Sequence, residues 1–536
     1  MPLPSNIMEI LVSLKCQIAI SLPVQTSHPP ADMPRSAARA PLALIHLDPT
    51  ARSPLFRQVF EGLRNAITDG RLRSGAQLPS ARTLAAELLV SRQTVISALD
   101  QLRAEGYIES RQRAGTYVSH KLPDDLLHAT RPARSQRRAA PAPVRLPTSL
   151  SARGARVEQS PIESHVYGRR LPARPFRNGL PALDAFPWTT WSRLVARRIR
   201  DGARTLGDYG DARGYARLRA AIAVHVALSR AVTCTADQVI VTTGAQQSLS
   251  LIATVLLSPG DTVWMEEPGY GRARLALRSA GVTLAPVGVD DEGLDVSAGI
   301  ATAPGARAAY VTPSHQFPSG VTMSLGRRLA LLQWAAREQA WIIEDDYDSE
   351  YRYSTRPITA LQGLDEAQRV IYVGSFSKTM FPALRIGYLI VPSSLVDAFA
   401  MARFAMDRHN ATIEQAALAD FIEEGHFPAH LRKMRRLYGS RRDALVNAVD
   451  ELIPSLTLGP SHGGMHVLLP LPEGVDDRAV VTAGAARHLE LSPLTAYSAL
   501  PPLQGGLILG FSAFQPLALR TATAALAEII GEAITR

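Results

Sequence analysis

The sequence predicts two domains of different class: a small α+β domain of helices and a hairpin, and a large α/β domain. In the first, helical periodicity gives way to a short alternating pattern around Gly115, whereas after Phe176 short apolar stretches alternate with helical windows. A chain of 536 residues is also too long for one ordinary core. We expect a disordered extension over 1–45, the small domain over 46–120, a linker over 121–175 and the large domain over 176–536.

Composition and charge set the broad class of the protein. A content of 46% hydrophobic and 20% charged residues is typical of a globular chain. The formal net charge of +10 fits an anionic partner, but an arginine-rich genome produces the same charge. The charge alone is therefore weak evidence for such a partner. Two cysteines, Cys16 and Cys234, cannot form a disulfide framework or a zinc site, so we expect a reducing cytoplasm and no metal. The apolar stretch 10–24 is too short and too interrupted to cross a bilayer, and we expect no membrane association.

Three helices and a hairpin are expected in the small domain. The first helix is marked by apolar residues at helical spacing: Leu55, Val59, Leu63 and Ile67. Ser80 is placed to cap a second helix that carries Leu84, Leu88 and Leu89. Ser91 is placed to cap a third helix, which runs from Arg92 to Glu105 and ends at Gly106.

This order of elements predicts a winged helix-turn-helix, which inserts its second motif helix into the major groove of DNA. That helix opens with Ser91, Arg92, Gln93 and Thr94, polar residues that precede its buried face and would reach base edges. The other candidate DNA-binding residues are Ser80, Arg82, Arg111, Arg113 and Gly115. A single arginine such as Arg92 is equally often an ordinary solvated charge.

The rest of the chain divides into a linker and a sheet-forming domain. Between 121 and 175 proline, alanine and arginine dominate, which is typical of a semi-extended, positively charged linker. Strands alternating with helices beyond it predict a parallel sheet with helices on both faces. These strands are expected at 239–242, 262–265, 308–311, 341–344 and 370–373, with two strands of a smaller lobe at 465–469 and 507–511.

Lys378 is the candidate reactive residue. It follows a predicted strand in the run Gly374-Ser375-Phe376-Ser377-Lys378, and Arg385 lies seven residues on. A lysine in this setting can form a Schiff base with a phosphorylated aldehyde, while Ser375, Ser377 and Arg385 hold the phosphate. This chemistry predicts pyridoxal 5′-phosphate as the cofactor.

Other stretches supply the remaining groups that such a cofactor needs. Asp345 would pair with the ring nitrogen, Tyr347 with the phenolic oxygen, and Tyr270 would stack on the ring. The phosphate cradle would come from the backbone amides that follow a strand and open a helix at Gly244, Ala245 and Gln246. Each motif alone is an ordinary turn, strand end or helix start, so the prediction depends on the order and spacing of the whole set.

Both halves resemble known families. Residues 54–118 resemble the DNA-binding domain of GntR-type bacterial regulators, and residues 176–536 resemble fold-type-I aminotransferases. The whole chain resembles the MocR/GabR branch of GntR regulators through Tyr209-Gly210-Asp211, Gly244-Ala245-Gln246-Gln247, Glu267-Pro268-Gly269-Tyr270, the run 312–320, the run 344–350 and the run 374–378. The resemblance implies a winged helix-turn-helix followed by a pyridoxal-phosphate-binding, aminotransferase-like domain. It also implies a bacterial cytoplasmic transcription regulator that binds a double-stranded DNA operator as a head-to-tail homodimer and senses pyridoxal phosphate or a small amine.

Two positions depart from the enzyme pattern of the resembled family. Phe317 stands where aminotransferases usually have an asparagine that contacts the phenolic oxygen, and Ile508 stands where they have an arginine that clamps a substrate carboxylate. Arg272 remains either as an effector contact or as a solvated helix arginine. We therefore expect a regulator rather than an enzyme. One alternative is a working aminotransferase with a DNA-binding appendage, since the presence of Lys378 leaves a transaminase-type half-reaction possible. The other is a constitutive repressor whose pocket is vestigial.

Overall fold

The structure, a computed structural model, describes residues 45, 47–48, 51, 53–111, 115–120, 150–158, 172–353, 358–500 and 504–535. The chain forms two compact units, residues 1–144 and 145–536. Most of the predicted extension, much of the predicted linker and Arg113 lie outside the described residues. Within the described ranges, no helix is long and apolar enough to cross a membrane.

The first unit contains three helices and a two-stranded wing. The helices are α1 (Leu55–Thr68), α2 (Ala81–Glu87) and α3 (Arg92–Ala104), and the wing strands are β1 (Ile108–Arg111) and β2 (Gly115–Val118). The wing is antiparallel, with Ile108 opposite Val118. Val59, Leu84, Val95 and Leu102 are fully buried in the core that the three helices share with the wing. The predicted helix-turn-helix with a wing is confirmed.

One apolar residue of this unit lies where the periodicity did not place it. Leu89 was expected on the second helix, but α2 ends at Glu87 and the Leu89 side chain is 92% exposed. Its φ of 53° places it in the left-handed region, at the turn between α2 and α3. The prediction for Leu89 is wrong because the tight turn reverses the chain before the next helical position is reached.

A short helix, α4 (Ala152–Glu158), lies in the stretch predicted to be a semi-extended linker. Ser151 begins it, since the Ser151 hydroxyl accepts a hydrogen bond from the Gly154 amide at 3.1 Å. Part of this stretch is therefore helical.

The second unit is built on an eight-stranded sheet. Its strands are β3 (Val239–Thr242), β4 (Thr262–Glu267), β5 (Thr283–Asp290), β6 (Gly293–Leu294), β7 (Ala308–Val311), β8 (Trp341–Asp346), β9 (Val370–Ser375) and β10 (Gly387–Ile390). The spatial order is β3-β10-β9-β8-β7-β4-β5-β6. The five predicted strands β3, β4, β7, β8 and β9 run in one direction, as expected. Two strands that were not predicted make the sheet mixed, because β10 runs antiparallel to both β3 and β9, and β6 runs antiparallel to β5.

Helices cover both faces of this sheet. They are α5 (Trp188–Leu206), α6 (Ala216–Arg230), α7 (Ala245–Leu256), α8 (Gly271–Ser279), α9 (Val296–Thr302), α10 (Leu325–Arg337), α11 (Val396–Asp407), α12 (Thr412–Glu423) and α13 (His426–Leu452). Successive residues of β7 point to opposite faces, as the period of a strand requires. Tyr310 joins the core under α7 and α8, whereas Val311 joins the core under α9 and α10. The short helix α4 packs against α8.

A smaller sheet forms the carboxy-terminal lobe. Its strands β11 (His466–Pro470), β12 (Ser492–Pro493) and β13 (Gly506–Gly510) are antiparallel in the order β11-β13-β12. The helices α14 (Asp477–Ala486) and α15 (Pro516–Thr535) accompany them, and α15 packs against α13. The two predicted strands of this lobe are confirmed to within one residue.

Candidate cofactor site and nucleic-acid interface

A cavity of about 330 Å³ lies at the carboxyl ends of β7 and β8, where ligands bind in open α/β sheets. Its size is at the lower end of the range for small-molecule sites, about 300–1,000 Å³. Among the predicted site residues, those that line it are Lys378, Asp345, Tyr347, Tyr270, Ala245, Gln246, Ser375, Ser377, Arg385 and Arg272. The sequence-predicted set is therefore brought together, with Gly244 directly behind the lining residue Ala245.

Lys378 presents its amine to the cavity. Its Nζ donates a hydrogen bond to the carbonyl oxygen of Gly179 at 2.7 Å. Burial lowers the pKa of Lys378 from its ordinary value of 10.5 to about 8, although the carboxylates of Asp348 and Asp345 oppose that shift. A buried amine with a lowered pKa has an enlarged neutral fraction, and the neutral form is the nucleophile.

Asp345, the next-to-last residue of β8, has a buried carboxylate of which one oxygen already accepts a hydrogen bond. Its Oδ2 accepts a hydrogen bond from the Tyr310 hydroxyl at 2.7 Å, whereas its Oδ1 is buried and has no hydrogen-bond partner. Burial raises the pKa of Asp345 to about 6, and the Tyr310 hydrogen bond opposes the shift. An orphaned carboxylate oxygen in a cavity wall is a site for a cationic hydrogen-bond donor.

The opposite end of the cavity is built to hold an anion. Ala245 and Gln246 begin α7, where the first backbone amides have no carbonyl of the helix to bond. Gly244 precedes them with a φ of 118°, and a Cβ there would lie 3.4 Å from the Arg385 guanidinium. The backbone conformation, rather than the space beside Arg385, therefore favours glycine at this position.

Both departures from the enzyme pattern, Phe317 and Ile508, lie in one apolar cluster beside the cavity. Ile508 is fully buried on β13 and packs in a cluster with Phe317 and Tyr497. The Phe317 ring meets the Tyr270 ring edge-on, with 5.6 Å between centroids. Ile508 supplies no guanidinium, and the cluster reaches the cavity through Phe317 and Tyr497, which both line it.

Several residues of the site were missed by sequence reasoning. Tyr310, Gly179 and Arg177 contribute a hydrogen bond, a carbonyl and a third arginine to the cavity, and the Arg177 Nε lies 3.5 Å from Glu490 Oε1. His315 and Asp348 lie inside motifs that carried the family resemblance, but no role followed from the motif alone. Only the three-dimensional structure reveals the roles of these residues, because their partners are distant in sequence.

The predicted DNA-reading residues lie at the start of α3 and around it. Ser91 and Ser80 cap α3 and α2, accepting hydrogen bonds from the amides of Thr94 at 3.1 Å and Thr83 at 3.2 Å. Arg82, Arg92 and Gln93 are exposed. Their exposure at a helix start fits contact with a DNA groove and backbone, which stays a prediction.

The wing residues have partners of their own. Arg111 bonds the Glu109 carboxylate at 2.7 Å and stacks over the Tyr117 ring at 4.8 Å, and Gly115 faces it across the hairpin. A phosphate contact by Arg111 would therefore compete with Glu109.

Both halves match family models. Residues 55–118 match the model of bacterial regulatory proteins of the gntR family, and residues 190–488 match the model of aminotransferase class I and II. The chain is 41% identical over 479 residues to the probable rhizopine catabolism regulatory protein MocR of Rhizobium meliloti, which covers 89% of this chain and 94% of that protein. The chain belongs to the MocR type of GntR-family transcription regulators.

Other relatives share the same combination. The regulator is 30% identical to the pyridoxine biosynthesis transcriptional regulator PdxR of Corynebacterium glutamicum, over 92% of this chain and 99% of that protein. Its large unit is similar to the solved structure of LysN, an alpha-aminoadipate aminotransferase from Thermus thermophilus, with a TM-score of 0.63 and 27% identity over 67% of this chain and 92% of that one. The regulator is thus a DNA-binding transcription regulator with an aminotransferase-like domain, and the expectation of regulator over enzyme is confirmed.

Proposed function

We propose that the regulator binds pyridoxal 5′-phosphate in the cavity and uses it to sense the cofactor itself or a small amine. The observation that carries this proposal is the convergence of a reactive amine and an orphaned carboxylate oxygen on one cavity with a helix start. An aldehyde needs a reactive amine, a pyridine nitrogen needs a carboxylate, and a phosphate needs the backbone amides of a helix start.

The residues present fit this cofactor. Asp345 Oδ1 would take the ring nitrogen, and Tyr270 would lie against the ring. The phosphate would be held by the amides of α7 together with Ser375, Ser377 and Arg385. When bound, the cofactor would supply an electrophilic carbon for reversible covalent exchange between Lys378 and an amine.

The apolar cluster of Ile508, Phe317 and Tyr497 supports sensing over turnover of an ordinary amino acid. A carboxylate placed against Phe317 and Tyr497, the two members that line the cavity, would lose its water without gaining a charge partner from them. The exposed Arg272 stays as a candidate effector contact near the cavity mouth. We infer that the effector is an amine whose far end is uncharged where it meets Phe317 and Tyr497, or pyridoxal phosphate alone.

A candidate path for a signal runs from this cavity through α8 to α4. Arg272 lies in the first turn of α8, and α8 packs against α4. Effector binding at α8 would bias the position of α4, and a ligand shifts an equilibrium when it binds the two states with different affinity. We infer that the regulator works in the bacterial cytoplasm as a head-to-tail homodimer whose paired DNA-reading units recognise an operator with two half-sites.

Replacing Lys378 tests the proposal. Pyridoxal phosphate mixed with the full chain should produce a visible absorption band that survives gel filtration, and Lys378→Ala should abolish it without changing the circular dichroism spectrum. Lys433→Ala, at an exposed position of α13, is the matched control. A Lys378→Ala protein that keeps the band would refute the assignment, and steady amino-group transfer to 2-oxoglutarate would favour the enzyme alternative.

A further inference from the structure

The side chain of His315, which lies beside Tyr347, determines whether the Tyr347 hydroxyl proton is available to a ligand in the cavity. The Tyr347 hydroxyl oxygen lies 2.9 Å from His315 Nδ1, and the Tyr347 side chain lines the cavity. If His315 Nδ1 carries a proton, it donates to Tyr347, and the Tyr347 proton is left for the cavity. If Nδ1 is bare, Tyr347 donates to His315 and has no proton to offer a ligand.

The carboxylate of Asp348 selects between these two states. Asp348 Oδ1 lies 3.2 Å from the same nitrogen, His315 Nδ1, and both side chains are buried. Neither oxygen of Asp348 has a hydrogen-bond partner, so this carboxylate depends on nearby positive charge. A proton on Nδ1 turns the positive end of an N–H dipole toward the carboxylate, whereas a bare nitrogen would place two lone pairs against each other.

Two other groups act on the pair: the Lys378 amine, which interacts electrostatically with Asp348, and the His466 ring. The His466 ring lies 4.9 Å from the His315 ring, and its Nε2 donates to the Pro318 carbonyl oxygen at 3.2 Å. Burial holds the pKa of His466 well below its ordinary value, so His466 is neutral. The His315 ring is also packed against Gly464, where any Cβ would overlap it, so its position is fixed.

We propose that His315 and Asp348 are positioning residues that hold the Tyr347 hydroxyl as a hydrogen-bond donor to the phenolic oxygen of pyridoxal phosphate. The proposal rests on the proposed cofactor. It makes Tyr347 the hydrogen-bond donor to the phenolic oxygen, because Phe317, which also lines the cavity, has no side-chain donor. It also gives a function to two buried residues to which no cofactor contact has been assigned.

A pair of substitutions at His315 tests this. Asparagine can place its amide nitrogen near the position of His315 Nδ1, whereas leucine fills similar volume without a donor. For the full chain, His315→Leu should weaken equilibrium binding of pyridoxal phosphate by about 3- to 10-fold, the net worth of one hydrogen bond. His315→Asn should stay within about twofold of the unsubstituted chain.

A cofactor analogue separates this effect from simple packing. With pyridoxal phosphate that lacks the phenolic hydroxyl, the three proteins should bind equally, and in a Tyr347→Phe background His315→Leu should have no further effect. Equal losses for both compounds would overturn the proposal, because the ring would then serve only to pack. Zinc retained stoichiometrically by the purified chain would also overturn it, since His315, Asp348 and His466 lie close enough to share a metal ion. Failure of the unsubstituted chain to bind either compound would overturn the cofactor proposal as well, so the two failures are distinguishable.

Discussion

The Tyr310 hydroxyl donates to one oxygen of Asp345 at 2.7 Å and leaves the other oxygen of that carboxylate without a partner in the cavity wall. The tyrosine fixes the orientation of the carboxylate from the β7 side of the sheet. One buried oxygen thus stays available to a ligand at a fixed position, which is how preorganised binding sites limit the entropy cost of binding.

Asp345→Asn should weaken the binding of pyridoxal phosphate by at least about tenfold, because a charge-assisted hydrogen bond is replaced by a neutral one. Equilibrium dialysis of the full chain measures this. Asp443→Asn, at a carboxylate whose side chain is 58% exposed on α13, is the control and should bind normally. Unchanged affinity in Asp345→Asn would show that another acid meets the ring nitrogen.

The lowered pKa of Lys378 predicts a pH dependence for cofactor attachment. The neutral amine is the reactive form, so the attachment rate should rise about tenfold per pH unit in the acidic range and level off once the pH passes the lysine pKa. That pKa is about 8, because burial disfavours the ammonium form. Stopped-flow growth of the visible band gives the profile. A rate that keeps climbing toward the ordinary lysine pKa would mean that the amine is solvated.

Arg92→Ala should reduce operator binding by about 1–3 kcal/mol, the worth of one specific base contact, and leave pyridoxal phosphate binding unchanged. Arg103→Ala is the matched control on the same helix, since Arg103 is paired with Asp100 at 2.6 Å near the other end of α3. Gel-shift titrations at fixed salt compare operator with random duplex. An equal loss on both duplexes would make Arg92 a phosphate contact.

Breaking α4 should uncouple the cavity from DNA binding. Val157 lies in α4 with a 40% exposed side chain, so Val157→Pro disrupts the helix by removing an amide donor, whereas Val157→Ala preserves it. Val157→Pro should bind pyridoxal phosphate and operator separately but lose any change in operator affinity on adding the cofactor. A fully preserved response would show that the signal does not pass through α4.

The sequence predicted five buried strands of the large sheet and their common direction, but it missed β10. Runs such as 308–311 and 341–344 are apolar on both faces, which is the pattern of a strand covered by helices on each side. The strand β10 follows β9 without an intervening α-helix, so the alternation of strands and helices does not reveal it. Leu89 was misplaced because periodicity does not report where a turn enters the left-handed region.

The candidate site was predictable where it is local and unpredictable where it is not. Lys378, Ser375 and Ser377 share one motif, so their proximity follows from the sequence alone. The Gly179 carbonyl that holds the Lys378 amine is 199 positions away, and only the fold brings it there. Likewise, His315 and Asp348 meet because they follow the neighbouring parallel strands β7 and β8.

The central claim is that the state of the cavity changes how the regulator binds DNA. An operator selected from random duplexes by the full chain allows the most direct measurement: affinity and DNA bending at one salt concentration, with and without pyridoxal phosphate. The account predicts that the cofactor changes the affinity or the bend for the unsubstituted chain and has no effect on Lys378→Ala. Identical affinity and identical bending in all four combinations would contradict it, because a ligand that the two DNA-binding states do not distinguish cannot act as a signal.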